Sequence, residues 1–251
     1  MVAGMSSGAT IVIGSLVMSL VALVGGVTLV LPPWRLQQLL APLVSLAAGS
    51  LLGGALFHMM PEGFIVLKPL QAGEWIAAGF TAFLALEQFL HWHHSHRTGR
   101  KGQSRHEPMG LLILLGDGLH NFIGGLGITS TYLINPPAGV AAWLAAIAHE
   151  IPQEMGDFGV LIRSGWRPRK ALAWNLVSAF TFPLGAVLAW WVRDSVSLAP
   201  LVLFAAGNFF YIAASDLVPE IKHHAEPGFA LRSFACFVSG LLFMWLMATI
   251  A

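Results

Sequence analysis

Long apolar stretches, separated by short polar or proline-containing segments, run from one end of the chain to the other. Each stretch has the ~20 residues that a helix needs to cross a hydrocarbon core about 30 Å thick. Turn-forming residues stand between them, for example Pro32-Pro33 and Pro136-Pro137. The pattern predicts an all-α, polytopic membrane protein in which residues 1–251 form one transmembrane domain with eight spans, at about 10–31, 41–60, 74–92, 110–131, 138–162, 169–191, 198–217 and 230–250.

Composition agrees with a membrane protein and narrows the possible partners. Of the 251 residues, 56% are hydrophobic and 10% are charged, and the mean hydropathy of +0.73 lies outside the range of soluble globular proteins. The net charge of +1 is too small to indicate a nucleic-acid partner, and we expect the partner to be the lipid bilayer. A single cysteine, Cys236, excludes an internal disulfide and a multi-thiolate site, so any metal ligands must be nitrogen or oxygen atoms.

The distribution of Lys and Arg predicts how the spans are oriented. With eight spans, 2 of the 13 basic residues, Lys68 and Arg193, lie on one side of the membrane and 11 on the other. Because cytoplasmic loops carry an excess of positive charge, we expect both termini to lie outside the cytoplasm in the cell (inner) membrane. The His-containing loop 93–109 then lies in the cytoplasm. The first span is too long for the core of a signal peptide, which favours a retained helix.

Two of these stretches carry ionisable residues in their middle, at Gly116 to Gly125 and at His149 to Phe158. A carboxylate at the centre of a membrane helix costs about 3 kcal/mol, so these side chains must face each other, water or an ion. The turn Ile134-Asn-Pro-Pro137 joins the two stretches as an antiparallel helical hairpin. At about 1.5 Å per residue, His120 and His149 both lie roughly 17 Å from that turn, near the middle of the membrane.

Helical spacing collects the polar side chains on facing surfaces. Residues three and four apart share one side of a helix, which groups Asp117 with His120 and Asn121 in the fourth span. Pro152 frees the carbonyl of Ala148 and predicts a bend beside the fifth-span residues. A buried polar network without a ligand is the alternative, but stability alone does not require so much charge. We predict a divalent-cation site drawn from Asp117, His120, Asn121, His149, Glu150, Gln153 and Glu154.

The motifs Gly116-Asp-Gly-Leu-His-Asn-Phe and His149-Glu-Ile-Pro-Gln-Glu-Met-Gly-Asp-Phe resemble the fourth and fifth transmembrane helices of the ZIP (Zrt/Irt-like) family of metal transporters. Residues 58–62, 175–185 and 206–220 extend the resemblance over nearly the whole chain. It implies a bacterial-type member with a 3+2+3 bundle of inverted repeats that moves divalent metal into the cytoplasm. The ligand positions of the family match His120, Asn121, His149, Glu150 and Gln153 here.

Two positions depart from the pattern of that family. Members usually have an acidic residue where this chain has Gly124, and some have Glu where it has Phe182. These differences argue against a second, bridged metal position. We therefore expect one central site with a loosened shell, in which the space at Gly124 admits a water molecule as ligand.

The ligand types also indicate which ion the site takes and how it travels. Imidazole, carboxylate and amide groups suit zinc and tolerate ferrous iron, manganese or cadmium. Polar residues nearer the two membrane surfaces could form a pathway, although ordinary solvated loop residues are the alternative for His223 and His224. These candidates are His58 and Glu62 on the outer side, and Asp157, Asp216, Glu220, His223 and His224 on the inner side.

Three functions compete at this point. The leading one is a carrier that works by alternating access, in which protons compete with the metal for the same lone pairs. A membrane metalloprotease would need the pattern His-Glu-x-x-His, but position 153 is Gln, so we expect no enzymatic activity. A metal sensor that binds without transporting is kept open by His91-Trp-His-His-Ser-His96. The resemblance also permits a homodimer.

Overall fold

We describe a computed structural model of the chain, covering residues 7–97, 107–163, 165–219 and 227–250. Within these ranges the regular structure is helical and there is no β-strand. Some of the predicted functional positions lie outside the described residues, namely Glu220, His223, His224 and most of the His-containing loop. The side chain of Asp216 also lies outside them.

The helices follow the apolar stretches of the sequence, and several of them continue into a 3₁₀ or π turn. The α-helices are α1 Ser7–Val21, α2 Pro33–Gly54, α3 Met60–Val66, α4 Pro69–Arg97, α5 Glu107–Ile134, α6 Pro136–Arg163, α7 Pro168–Ala179, α8 Thr181–Val192, α9 Ala199–Tyr211 and α10 Pro227–Ile250. The irregular turns are Ala22–Leu29 (3₁₀) after α1, and Ala55–Met59 (π) after α2 and Ile212–Leu217 (π) after α9.

Four of the helical runs are long and apolar enough to cross a bilayer, which makes this an integral membrane protein. They are Ser7–Leu29, Pro42–Val66, Pro168–Val192 and Gly228–Ile250. Large apolar side chains such as Val30, Ile65 and Trp191 are more than three-quarters exposed, as expected of a surface in contact with lipid. The number of eight spans and their 3+2+3 arrangement stay predictions, as do the termini outside the cytoplasm.

Helices α5 and α6 form the hairpin that the sequence predicts. Each has 28 residues, and Asn135 alone separates them. The side-chain Oδ1 of Asn135 accepts a hydrogen bond from the backbone N–H of Ala138 at 3.3 Å, which helps to start α6. Helix α4 continues to Arg97, beyond the predicted end of its span at residue 92. The predicted loop at 93–109 is therefore partly helical.

Glycine contacts pack α8 against the hairpin at backbone distance. A Cβ atom added to Gly125 on α5 would lie 2.1 Å from the carbonyl oxygen of Phe182, and one added to Gly185 on α8 would lie 2.0 Å from that of Phe122. Small residues allow such close approach in a membrane, where dispersion contacts rather than the hydrophobic effect hold helices together. The contact fixes the position of α5, which carries half of the candidate site.

We expect Gly185→Ala to destabilise the fold, because its methyl group would overlap the backbone of α5. Overpacking of this kind costs about 1–3 kcal/mol of folding free energy. The melting temperature of the protein in detergent should therefore fall by several degrees. Gly73→Ala is the matched control, since nothing lies within 4 Å of its Cβ position and alanine favours a helix. Fluorescence size-exclusion chromatography of heated samples measures the melting temperatures. Equal values for the two variants would contradict the close packing of α5 and α8.

Candidate metal centre

Two histidines from the two arms of the hairpin meet in the middle of the structure. The Nε2 atoms of His120 on α5 and His149 on α6 lie 3.0 Å apart. The carboxylate of Glu150 joins them, with Oε1 at 3.2 Å from Nε2 of His120 and at 3.5 Å from Nε2 of His149. All three side chains are buried, with no more than 5% of each residue exposed. Two nitrogen atoms and one oxygen atom thus form a compact triangle.

The size of this triangle suits a transition-metal dication. Zinc binds imidazole nitrogen and carboxylate oxygen at about 2.0–2.2 Å in tetrahedral geometry, which sets neighbouring donor atoms roughly 3.3 Å apart. The observed edges of 3.0, 3.2 and 3.5 Å bracket that value. The three atoms can therefore occupy three corners of a tetrahedron around one ion without a large rearrangement.

Aromatic rings hold the two imidazoles in place. Phe83 of α4 lies edge-on to His120 with ring centroids 5.7 Å apart, and Phe209 of α9 contacts His149 at 5.9 Å. The imidazoles themselves are nearly perpendicular, at 86°. Because these contacts come from two helices outside the hairpin, they limit how far the rings can turn and so preorganise the donor atoms.

A group of carboxylates continues from Glu150. Donor oxygens of Asp117, Glu150 and Glu154 all lie within 4.8 Å of one another. The Oδ1 atom of Asp117 accepts hydrogen bonds from Nδ2 of Asn121 at 2.9 Å and from Nε2 of Gln153 at 3.3 Å. Both amides thus turn their nitrogen atoms toward this carboxylate, and here they position Asp117. Their predicted role as metal ligands stays a prediction.

Sequence reasoning missed one partner of this group. The Nδ2 atom of Asn175, on α7, donates a hydrogen bond to Oε2 of Glu154. Nearby, the hydroxyl of Thr181 donates to the carbonyl oxygen of Gly118 at 2.5 Å, which ties the start of α8 to α5. An amide side chain within a predicted membrane span was the available signal for Asn175.

A cavity of about 410 Å³ opens beside the site. Its polar lining includes Asp117, His120, Gln153 and Asp157. Glu87 on α4, which the sequence did not single out, also lines it and accepts a hydrogen bond from the hydroxyl of Tyr211. Since His120 lines this space, the cavity reaches one member of the triangle.

A buried donor triangle and a polar cavity inside an apolar helical protein agree with the results of sequence comparison. A model of the family described as "ZIP Zinc transporter" matches residues 93–248. The chain belongs to the ZIP family. The family consists of transporters and not enzymes, so the protease alternative is wrong and no cofactor is required. Membership of a bacterial type stays a prediction.

Relatives of known name align over most of the chain. Zinc transporter ZIP13 of Pongo abelii is 29% identical over 232 residues, which cover 86% of this chain and 67% of the relative. Zinc transporter YKE4 of Saccharomyces cerevisiae is also 29% identical, and the alignment covers 84% of this chain and 69% of the relative. Zinc transporter ZIP10 of Mus musculus is 35% identical, but the alignment covers only 53% of this chain and 17% of the relative.

The space at Gly124, where this ZIP chain lacks the acidic residue, is bordered by an aromatic ring. A Cβ atom added there would lie 3.5 Å from Cε2 and 3.7 Å from Cδ2 of Phe182, which is 1% exposed. The expectation that a water molecule occupies this space as a ligand stays a prediction, and the ring of Phe182 forms one wall of that space. The two departures from the family pattern are coupled: the small residue accommodates the large one.

The outer pathway candidates contact helices rather than the cavity. Nε2 of His58 lies 2.9 Å from the carbonyl oxygen of Met244, and this histidine is buried. Glu62 is half-buried and accepts a hydrogen bond from Nδ2 of Asn135 at 2.7 Å. These contacts connect α2 and α3 to α10 and to the turn of the hairpin. A role of either residue in ion capture stays a prediction.

We expect Gly124→Asp to weaken zinc binding, because its carboxylate would have to displace the ring of Phe182. The double variant Gly124→Asp/Phe182→Ala removes the ring and should bind zinc about tenfold more tightly than Gly124→Asp alone. Gly124→Ala is the control, since its methyl group makes only ordinary contact with the ring. Isothermal titration of the purified proteins in detergent measures the dissociation constants. Tighter binding by Gly124→Asp alone would contradict the coupling.

Proposed function

We propose that this protein carries divalent cations, with zinc as the main substrate, across the membrane and into the cytoplasm by alternating access. The triangle of His120 Nε2, His149 Nε2 and Glu150 Oε1 is the observation that carries the proposal. Imidazole nitrogen with one carboxylate is a donor set that zinc favours and that ferrous iron, manganese and cadmium tolerate. The names of the relatives ZIP13 and YKE4 as zinc transporters agree with this choice.

The site lies on two helices of 28 residues each, which at about 1.5 Å per residue are long enough to cross a hydrocarbon core, as a carrier requires. A single carboxylate between two imidazoles can compensate only part of the charge of a dication, so the ion is held without being trapped. A substrate that must leave needs a site of this moderate strength. The additional carboxylates of Asp117 and Glu154 lie close to that of Glu150.

The position of the cavity supports inward release. Its lining comes from the half of α5 that begins at Glu107 and the half of α6 that ends at Arg163. In the eight-span scheme, most of the Lys and Arg residues lie on the side of the membrane where α5 begins and α6 ends. The positive-inside rule assigns this side to the cytoplasm. At the other end, Asn135 bonds to Glu62, and Tyr132 packs on Trp143 with ring centroids 5.4 Å apart. A site reached from one end at a time is the basis of alternating access.

The membrane in question is the cell (inner) membrane, with both termini on the outer side. In this orientation Asp157, in the cavity wall, would be the first carboxylate that the ion meets on its way to the cytoplasm. Asp216, Glu220, His223 and His224 would follow nearer the surface. A homodimer is compatible with the family, and each chain would contain a complete site of its own.

We expect His149→Ala to reduce the initial rate of zinc uptake at least tenfold, because it removes one of three donor atoms. The measurement uses proteoliposomes that contain a metal-sensitive dye, with Zn²⁺, Mn²⁺ and Cd²⁺ added outside. Ser130→Ala on α5 is the control, since this hydroxyl only contacts the carbonyl of Leu126 in its own helix. Uptake by His149→Ala at the rate of Ser130→Ala would refute the site. Zinc binding without flux in the unmodified protein would favour the sensor instead.

A further inference from the structure

Asn208 on α9 is a fully buried amide without a hydrogen-bond partner. It is 0% exposed, and among the described residues nothing pairs with its Nδ2 atom or with its Oδ1 atom. The chain has three other asparagines, and each of them donates a hydrogen bond from Nδ2, namely Asn121, Asn135 and Asn175. In the part of the chain that the structure describes, Asn208 is thus the exception among the asparagines.

Packing of the helices does not account for this amide. The rest of α9 is apolar apart from the hydroxyl of Tyr211, and a leucine of similar size would fill the same space without burying polar atoms. A polar side chain that holds membrane helices together does so through hydrogen bonds across the interface, and Asn208 makes none to the described residues. A buried polar group of this kind indicates a water molecule or an ion that it meets during function.

Asn208 lies on the side of α9 that faces the hairpin. Ala205, three residues earlier, packs so closely on α5 that a Cβ atom added to Gly127 would lie 2.0 Å from its own Cβ. Phe209, the next residue, contacts the ring of the metal-site residue His149 at 5.9 Å. Residues three and four apart share one side of a helix, so the amide of Asn208 points to the same helices as these two contacts.

Along the membrane normal, Asn208 lies between the cavity and the turn of the hairpin. Tyr211, one helical turn later on α9, lines the cavity. Ala205, one turn earlier, meets Gly127, which comes seven residues after His120 in the direction of the turn. Asn208 is therefore on the side of the histidine triangle that the cavity does not open. In the proposed orientation this is the outer side, from which the ion arrives.

We propose that Asn208 is an ion-binding residue of the outer half of the transport path, where its amide oxygen binds the hydrated dication on the way to the histidine triangle. This inference rests on the proposed function, because it assigns a residue to the entry of the transported ion. The contact of Asn135 with Glu62 closes this half in the present conformation, which leaves the amide without a partner.

The chemistry of an amide suits such a position. Amide oxygens bind divalent cations directly, and the water that accompanies the ion supplies an acceptor for Nδ2 of Asn208 and a donor for its Oδ1. Because the amide carries no charge, it holds the ion less strongly than a carboxylate would. The ion can therefore pass on to the two imidazoles and Glu150, which offer nitrogen and a negative charge.

The first test measures whether the outer solution reaches this position. The chain has a single cysteine, so Cys236→Ala provides a background for Asn208→Cys. A membrane-impermeant methanethiosulfonate reagent is added to right-side-out vesicles, and mass spectrometry follows the labelling. We expect labelling at least tenfold faster than in Ala206→Cys, the matched control, which is equally buried on a different face of α9. Mn²⁺, an ion that binds thiols weakly, should slow the labelling at least threefold.

The second test separates a structural role from a role in transport. Asn208→Leu should melt no lower than the unmodified protein in detergent, because no hydrogen bond is lost. Asn135→Ala, which loses the bond to Glu62, should melt lower and is the comparison for an amide with a partner. The kcat/KM for zinc uptake into proteoliposomes should fall at least fivefold in Asn208→Leu, while the zinc affinity of the purified variant, measured by isothermal titration, stays unchanged.

The outcomes distinguish this inference from the proposed function. Equal labelling of Asn208→Cys and Ala206→Cys, labelling that Mn²⁺ does not slow, or a melting temperature of Asn208→Leu as low as that of Asn135→Ala would overturn the role of Asn208. Zinc flux in the unmodified protein would then leave the carrier function standing. Fast labelling from the outer side that Mn²⁺ slows supports Asn208 as an ion-binding residue, even if the unmodified protein shows no flux and the carrier function fails.

Discussion

The structure depends on one electrostatic constraint, the burial of the Glu150 carboxylate inside an apolar helical protein. Such a group is tolerated only beside compensating charge or hydrogen-bond donors, and both neighbouring donors are imidazoles from the two arms of one hairpin. The hairpin brings them together because a single residue, Asn135, separates its helices. Glycine contacts with α8 then fix the depth and rotation of α5. Fold and site are thus two consequences of the same packing.

Much of this arrangement could be predicted from the sequence, because it follows from short-range periodicity. The positions of prolines and apolar runs indicate the helices and the hairpin. Spacing of three and four places Asp117, His120 and Asn121 on one face, and equal distance from the turn places His120 opposite His149. These inferences use only the geometry of a helix and of its antiparallel neighbour. The family match, over residues 93–248, includes these two helices.

The contacts with other helices could not be predicted in this way. Asn175 reaches Glu154, and Tyr211 reaches Glu87, only because α7 and α9 have a particular rotation about their own axes. A span with one or two polar residues in an apolar background does not define that rotation. Phe182 illustrates the same limit, since the sequence shows the loss of an acid at Gly124 but not the ring that replaces it. Long-range packing decides each of these contacts.

The order of ligands along α6 gives the site a direction. His149 offers nitrogen, Glu150 contacts both imidazoles and belongs to the carboxylate group, and Glu154 offers oxygen alone one turn further toward Arg163. In the carrier that we propose, an ion that moves along this face can exchange its ligands in turn and need not lose its whole coordination shell at once. Backbone-close contacts join α5 to α8 at Gly125 and Gly185, so α5 cannot slide along α8 without overlap of their backbones. In the carrier that we propose, a change of access therefore has to move α5 and α8 together.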